Sequence, residues 1–177
     1  DNGIQKTITS YHEAGHAFIS RYLLPENKII RVSVIPTSKG AGGYTLSTPN
    51  SEEVMTKRKI INYLSVLMAG RVSEEVFFGN ENITAGAQND IEKATSLAVD
   101  YVSKYGMNDT AFINYQLLSD KLRIPLTSVE GSVKKLTSEI YEEVFKLIES
   151  NKEKIEEIAR LLIEKEVIYQ DELDNLL

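Results

Sequence analysis

The sequence predicts a mainly α single domain of about five to six helices with one small β-hairpin. Three observations carry that expectation. Apolar residues recur at helical spacing over most of the chain, strict alternation is confined to one short stretch, and Gly or Pro punctuates the ends of the periodic runs. With 177 residues, 42% hydrophobic and 26% charged, the chain is one globular unit able to bury a core. It contains no tandem repeat, no low-complexity tract and no composition shift that would divide it.

The first helix is expected over 9–24, stopped by Pro25, with Ile8, His12, His16, Ile19 and Leu23 on one face. Both histidines therefore fall in an apolar stripe. Residues 29–35 alternate, Val32 and Val34 opposing Arg31, Ser33 and Ile35, and 43–47 supplies a partner strand across a turn at 36–42. A second helix follows Asn50, with Ser51 as its N-cap, and runs through Ile60, Leu64, Met68 and Val72 to Phe78, where Gly79 ends it. The third, 88–105, turns Ile91, Ala94, Leu97, Ala98, Tyr101, Val102 and Tyr105 inward and closes at Gly106. Periodicity is weak from 107 to 130 and Pro125 intervenes, so that stretch reads as an irregular connection. Val133, Leu136, Ile140, Val144, Leu147 and Ile148 mark a fourth helix. Asn151 interrupts, Ile155, Ile158, Leu161, Leu162 and Val167 mark a fifth, and 170–177 forms a short last one.

Composition removes several classes of function. Without cysteine there is no disulfide framework, thiolate zinc site, iron–sulfur cluster or thiol nucleophile, and any metal must be held by His, Asp or Glu. A net charge of -6 with no basic stripe argues against nucleic acid as a partner. No run approaches the ~18 apolar residues of a membrane span. The chain opens on Asp1 without a basic and apolar leader, and the expectation is an excised part of something longer. Lys39-Gly40-Ala41-Gly42-Gly43 lacks the closing Gly-Lys-Ser/Thr of a phosphate loop and reads as a flexible turn, so no ATPase is encoded here.

The strongest chemical signal is His12-Glu13-Ala14-Gly15-His16, an H-E-x-x-H inside the first helix. Four residues advance a helix by little more than a turn, so both imidazoles project from one face and reach one ion at ~2.0–2.1 Å. Glu13 lies about a quarter turn away, beside the ion. There its carboxylate can take a proton from metal-bound water and return it to the departing amine. The blander alternative, two core histidines flanking a surface glutamate, would bury two imidazoles without partners, at a cost of several kcal/mol. A di-iron bundle needs two E-x-x-H motifs, and the only two histidines are already used in one.

A catalytic zinc takes three protein ligands plus water, and the third must here be acidic. Asp90 points inward near the start of the third helix, on the arc of Ala94, Leu97 and Tyr101; a cap or dipole partner is the competing role. Glu74 and Glu75 are rivals, Glu75 sharing the inner face of the second helix with Leu64, Met68 and Val72. Either is a candidate ligand or an acceptor that orients a histidine N–H. Periodicity leaves the choice open.

Four segments, Tyr11-His12-Glu13-Ala14-Gly15-His16-Ala17, Gly42-Gly43-Tyr44-Thr45, Met68-Ala69-Gly70-Arg71-Val72-Ser73-Glu74-Glu75 and Thr84-Ala85-Gly86-Ala87-Gln88-Asn89-Asp90-Ile91, resemble in order and spacing the peptidase domain of FtsH-type ATP-dependent zinc metalloproteases. The likeness covers 7–177 and is strongest to Gly106. The resemblance implies that His12, His16 and Asp90 hold Zn, that Glu13 is the general base and that Glu74 is structural or supports a ligand. It implies one peptidase domain over 1–177, with a catalytic core at 7–106, the connection at 107–130 and C-terminal helices at 131–177. It further implies polypeptide substrates, unfolded or membrane-derived. The partner would be a membrane-anchored AAA ATPase domain upstream in the same longer chain, with a homo-hexameric ring and a peptidase domain facing the cytoplasm. Departures lie at Ala85, where a small hydroxyl residue is common, and after Gly106, where the family's Leu-Gly-Pro is missing. The competing function is a catalytically idle, metal-stabilised assembly module associating through the 133–162 helices.

Overall fold

The computed structural model describes residues 2–37, 42–48 and 53–177. Among these the chain order is α1 (Asn2–Leu23), β1 (Lys28–Ser33), β2 (Tyr44–Thr48), α2 (Lys57–Phe78), single 3₁₀ turns at Asn80–Asn82 and Ala85–Ala87, α3 (Gln88–Ser103), α4 (Tyr115–Leu122), α5 (Thr127–Ser150), α6 (Lys152–Lys165), β3 (Val167–Tyr169) and α7 (Gln170–Leu176). The mainly α class holds, with one helix and one strand more than the pattern indicates. No helix among the described residues is long and apolar enough to cross a membrane.

The second helix is the centre of the packing. α2 touches α1, α3 and α5, and its buried residues, Ile60, Leu64, Ala69 and Val72 among them, cover more than a single stripe. The expected cap Ser51 and residues 38–41 of the glycine-rich turn lie outside the described residues. The helix begins only at Lys57, where the Thr56 hydroxyl accepts from the Lys59 N–H at 3.1 Å. Gly79, at φ 87°, ends it with its N–H on the Glu75 carbonyl.

α1 starts at Asn2 rather than near residue 9, because no breaker separates 4–9 from the apolar stripe and Ser10 is accommodated by donating to the Lys6 carbonyl. Its contact with α2 is made by small residues. A Cβ on Gly15 would stand 2.6 Å from Ser73 Cβ and 2.7 Å from the Ala69 carbonyl oxygen. Ser73 in turn donates to the Tyr11 carbonyl at 2.7 Å. Gly15→Ala should gain about 1 kcal/mol of helix propensity and lose about 1–3 kcal/mol to overpacking against backbone that cannot yield. The expected net result is a lower urea midpoint with an unchanged slope.

The sheet has the order β2-β1-β3, all antiparallel, with Val32 facing Thr45 on one side and Ile168 on the other. β3 was not legible: Val167 continues the helical period of α6. Glu166, at φ 67°, breaks that helix with its N–H on the Leu162 carbonyl, and three residues are too few for alternation to register. The Glu166 carbonyl also accepts from the Val34 N–H at 2.9 Å, extending the ladder.

The stretch expected to be irregular contains α4. Its cap is sound, Asn114 accepting from the Leu117 N–H, and Arg123 closes it in the left-handed region. None of its residues is fully buried, and only Tyr115 among its side chains packs against the core cluster, so eight residues give too little pattern to read. α5 consequently starts at Thr127, before the expected Val133. It joins α6 in burying Ile140, Val144, Ile148, Ile155, Ile158 and Leu162 in one cluster with α1 and α2.

Candidate metal centre

Three of the singled-out side chains meet at one point. His12 and His16 project from adjacent turns of α1, and Asp90 enters from the first turn of α3. His12 Nε2 and His16 Nε2 are 3.1 Å apart, and Asp90 Oδ2 lies 3.0 Å from His16 Nε2 and 3.3 Å from His12 Nε2. They are the metal-capable group of His, Asp and Glu found among the described residues.

The ring orientations follow from what the other nitrogens touch. His12 Nδ1 is 2.5 Å from Glu74 Oε2, and His16 Nδ1 is 2.7 Å from the Val66 carbonyl oxygen. Each Nδ1 faces an acceptor and therefore carries the ring proton, which leaves both Nε2 lone pairs directed at the shared space. Two lone pairs and a carboxylate converging without a donor between them call for a cation. A tetrahedral ion held at ~2.0–2.1 Å separates its donors by roughly 3.3 Å, so the spacing observed here fits a small divalent cation such as zinc.

The electrostatics agree. Burial works against a charge on His12, but the Asp90 and Glu74 carboxylates outweigh it and push its pKa up to about 10, so a proton and a metal cation compete for His12 Nε2. Burial of Asp90 is likewise outweighed by His12 and His16, which hold its carboxyl well below the ordinary carboxylate range. The pocket thus favours positive charge.

Glu74 is fully buried, and the sequence rivals Glu74 and Glu75 separate cleanly. Besides His12, Glu74 accepts from the Thr84 N–H at 2.9 Å and the Thr84 hydroxyl at 2.7 Å, fixing the turn that leads into Asp90. These contacts and His12 outweigh desolvation and lower its pKa. Glu75, expected on the inner face, is half-buried on the side of α2 that meets α5, where it accepts from the Tyr141 hydroxyl at 2.6 Å. The buried face of α2 is rotated by one residue because Ala69, Gly70 and Ser73 are the groups small enough to lie under α1.

Glu13 is buried at 6% exposure and accepts from the Thr45 hydroxyl of β2 at 3.1 Å. With His12, Gly43, Thr84 and Gln88 it lines an open cleft of about 770 Å³. Gly43 is close-fitted: a Cβ there would stand 2.6 Å from the Ser33 carbonyl oxygen and 3.2 Å from Glu13 Cγ. The arrangement offers a cation site, a carboxylate beside it and a strand edge along it.

Gly70, Thr84 and Thr45 lie in the segments that carry the resemblance, but the sequence reading gave none of them a role. Gly70 had a signal, an isolated glycine inside an apolar helix, which marks a close approach; the two threonines had none.

A family model described as peptidase family M41 matches residues 2–176. The chain is 41% identical over 172 residues to the ATP-dependent zinc metalloprotease FtsH of Lachnoclostridium phytofermentans, covering 97% of this chain and 29% of that protein. It is 36% identical over 98% of its length to ATP-dependent zinc metalloprotease FtsH 1 of Alkaliphilus metalliredigens, of which it spans 30%. It is 34% identical to the mitochondrial inner membrane m-AAA protease component yta12 of Schizosaccharomyces pombe, spanning 98% of this chain and 23% of that protein. The chain therefore covers less than a third of the length of these relatives.

Proposed function

This chain belongs to peptidase family M41, and on that premise we propose that it is a zinc-dependent endopeptidase with His12, His16 and Asp90 as ligands and Glu13 as general base. The observation that carries the proposal is the triangle of Nε2, Nε2 and Oδ2 atoms with edges of 3.0–3.3 Å. Zinc bound there supplies a Lewis acid that polarises the scissile carbonyl and acidifies a water molecule. Glu13 takes the proton of the attacking water and passes it to the leaving nitrogen. Thr45 holds one Glu13 oxygen, leaving the other for that transfer. Glu74 keeps His12 in the tautomer that presents Nε2, and the Val66 carbonyl does so for His16. An extended substrate lies along the β2 edge, where the backbone adds a strand. An inert, metal-stabilised module would leave the buried Glu13 carboxylate without a task.

The relatives are longer and two are named ATP-dependent. The same reading couples this chain to an AAA ATPase in a homo-hexameric, membrane-anchored protein, with unfolded or membrane-derived polypeptides as substrates and this domain on the cytoplasmic side. The test is metal content against cleavage of an unfolded casein. One zinc per chain, and loss of cleavage on chelation that zinc restores, are expected. Asp90→Asn should weaken zinc binding by at least about 100-fold, the upper range for losing even a supporting partner. Chelator-resistant cleavage would overturn the assignment.

A further inference from the structure

We infer that Arg71 is a positioning residue for the metal site, holding the loop that delivers Asp90 to the histidines. This rests on the zinc reading above. Asp90 is the one proposed ligand that α1 does not carry, and packing alone does not fix it. Its side chain is 22% exposed, and with Met68, Arg71, Ile91 and Tyr141 it borders a cavity of about 430 Å³ between α2, α3 and α5. A carboxylate beside open space keeps its place only if its backbone is held.

The holding point is Thr84. Its carbonyl oxygen accepts from Arg71 Nη2 at 2.9 Å, while its N–H and hydroxyl donate to Glu74 Oε1 at 2.9 and 2.7 Å. Arg71 and Glu74 are three residues apart on α2 and so share a face, and together they take both backbone groups of one residue. From there to Asp90 the chain has little slack. The Thr84 hydroxyl accepts from the Gly86 N–H at 3.2 Å, the Gln88 N–H donates to the Ala85 carbonyl, Ala87 is buried, and Asp90 sits in the first turn of α3. A shift of Thr84 therefore moves Asp90. Glu74 divides its oxygens between Thr84 and His12, whereas Arg71 serves the Asp90 side alone.

Packing alone does not account for an arginine at this position. The side chain is half-buried, makes no ion pair among the described residues, and its Nε–H is buried without an acceptor. The neighbouring carboxylate of Glu75 is engaged by Tyr141 and Asn80. Taking a charged group out of water in this way is unfavourable, and the Thr84 carbonyl is the one acceptor it reaches. A methionine would fill the same space without that penalty. What it would not do is restrain Thr84.

The experiment is a double-mutant cycle of Arg71→Met and Asp90→Asn, read as the zinc affinity of the folded proteins, with the visible absorption of their cobalt(II) forms as a second readout. Arg71→Met should weaken zinc binding by about tenfold, the lower range for a group that supports a ligand, and should dim the cobalt(II) spectrum as the site departs from four-coordination. Added to Asp90→Asn it should cost at most about twofold more, because the arginine acts through the ligand already lost. Arg71→Lys keeps the charge and the stem but ends short of the Thr84 carbonyl; it should fold even where Arg71→Met does not, and show a severalfold loss that Asp90→Asn again absorbs. Arg160→Met, which removes an exposed arginine paired with Glu156, is the control and should bind zinc like wild type. Wild-type affinity in either folded Arg71 variant, or losses that add in full to that of Asp90→Asn, overturns the inference and leaves the zinc site standing. Wild-type protein that takes up no zinc overturns the site itself, and this inference with it.

Discussion

Glu13→Gln is expected to lower peptide hydrolysis by ~10²–10⁴-fold while the protein still binds one zinc per chain. The substitution keeps size and the hydrogen bond from Thr45 and removes only the capacity to carry a proton. Glu13 does not belong to the donor triangle, so the cation site should survive. Its burial means that no bulk buffer molecule substitutes readily for the missing carboxylate. The measurement is casein cleavage beside zinc stoichiometry. Undiminished cleavage would remove Glu13 from the reaction, and a parallel loss of zinc would turn its role into a structural one.

The second large effect is expected at Gly70, which touches no substrate. A Cβ there would overlap His12 Nε2 and stand 2.5 Å from His12 Cε1 and His16 Nε2. Those nitrogens are the proposed donors, and their rings are tied behind by Glu74 and the Val66 carbonyl, so neither can retreat without breaking its Nδ1 hydrogen bond. Helix propensity favours alanine by about 1 kcal/mol, whereas the broken bond leaves a buried polar group at a cost of about 1–3 kcal/mol. Gly70→Ala should therefore stay folded by circular dichroism and lose zinc affinity by at least about 100-fold in a competition titration. Gly15→Ala is the control, since it crowds the same helix pair at Ser73 and Ala69 without meeting a donor atom. Equal zinc affinity in Gly70→Ala and wild type would refute the claim that this glycine makes room for the rings.

The contrast between these positions explains how much could be read in advance. His12, Glu13 and His16 were legible because one helix fixes their relation by spacing alone. Asp90 was legible as an inward carboxylate, and only the fold brings it within reach of the histidines, since 74 residues separate it from His16. Glu74 and Glu75 could not be told apart because the rotation of α2 is set by α1 lying on it. That contact is made through glycine, alanine and serine, which carry no hydrophobic periodicity. The C-terminal ends of the core helices were legible from Pro25, Gly79, Gly106 and Asn151, whereas the starts of α1, α2 and α5 were misplaced because no single breaker or cap marks them in the pattern. α4 was missed because none of its residues is fully buried, and β3 because a strand of three residues is defined by its partner Arg31–Ser33 rather than by its own pattern.

That partner is the central strand of the sheet. β1 is held on one side by the hairpin strand beside the cleft that Glu13 lines and on the other by residues 167–169. Both histidines and the aspartate are synthesised long before the strand that braces their wall. A polypeptide broken off before residue 167 owns every ligand but lacks half the support of the rim along which a substrate would be laid. The wall of the cleft is therefore complete only once residue 169 has been made and folded back onto β1.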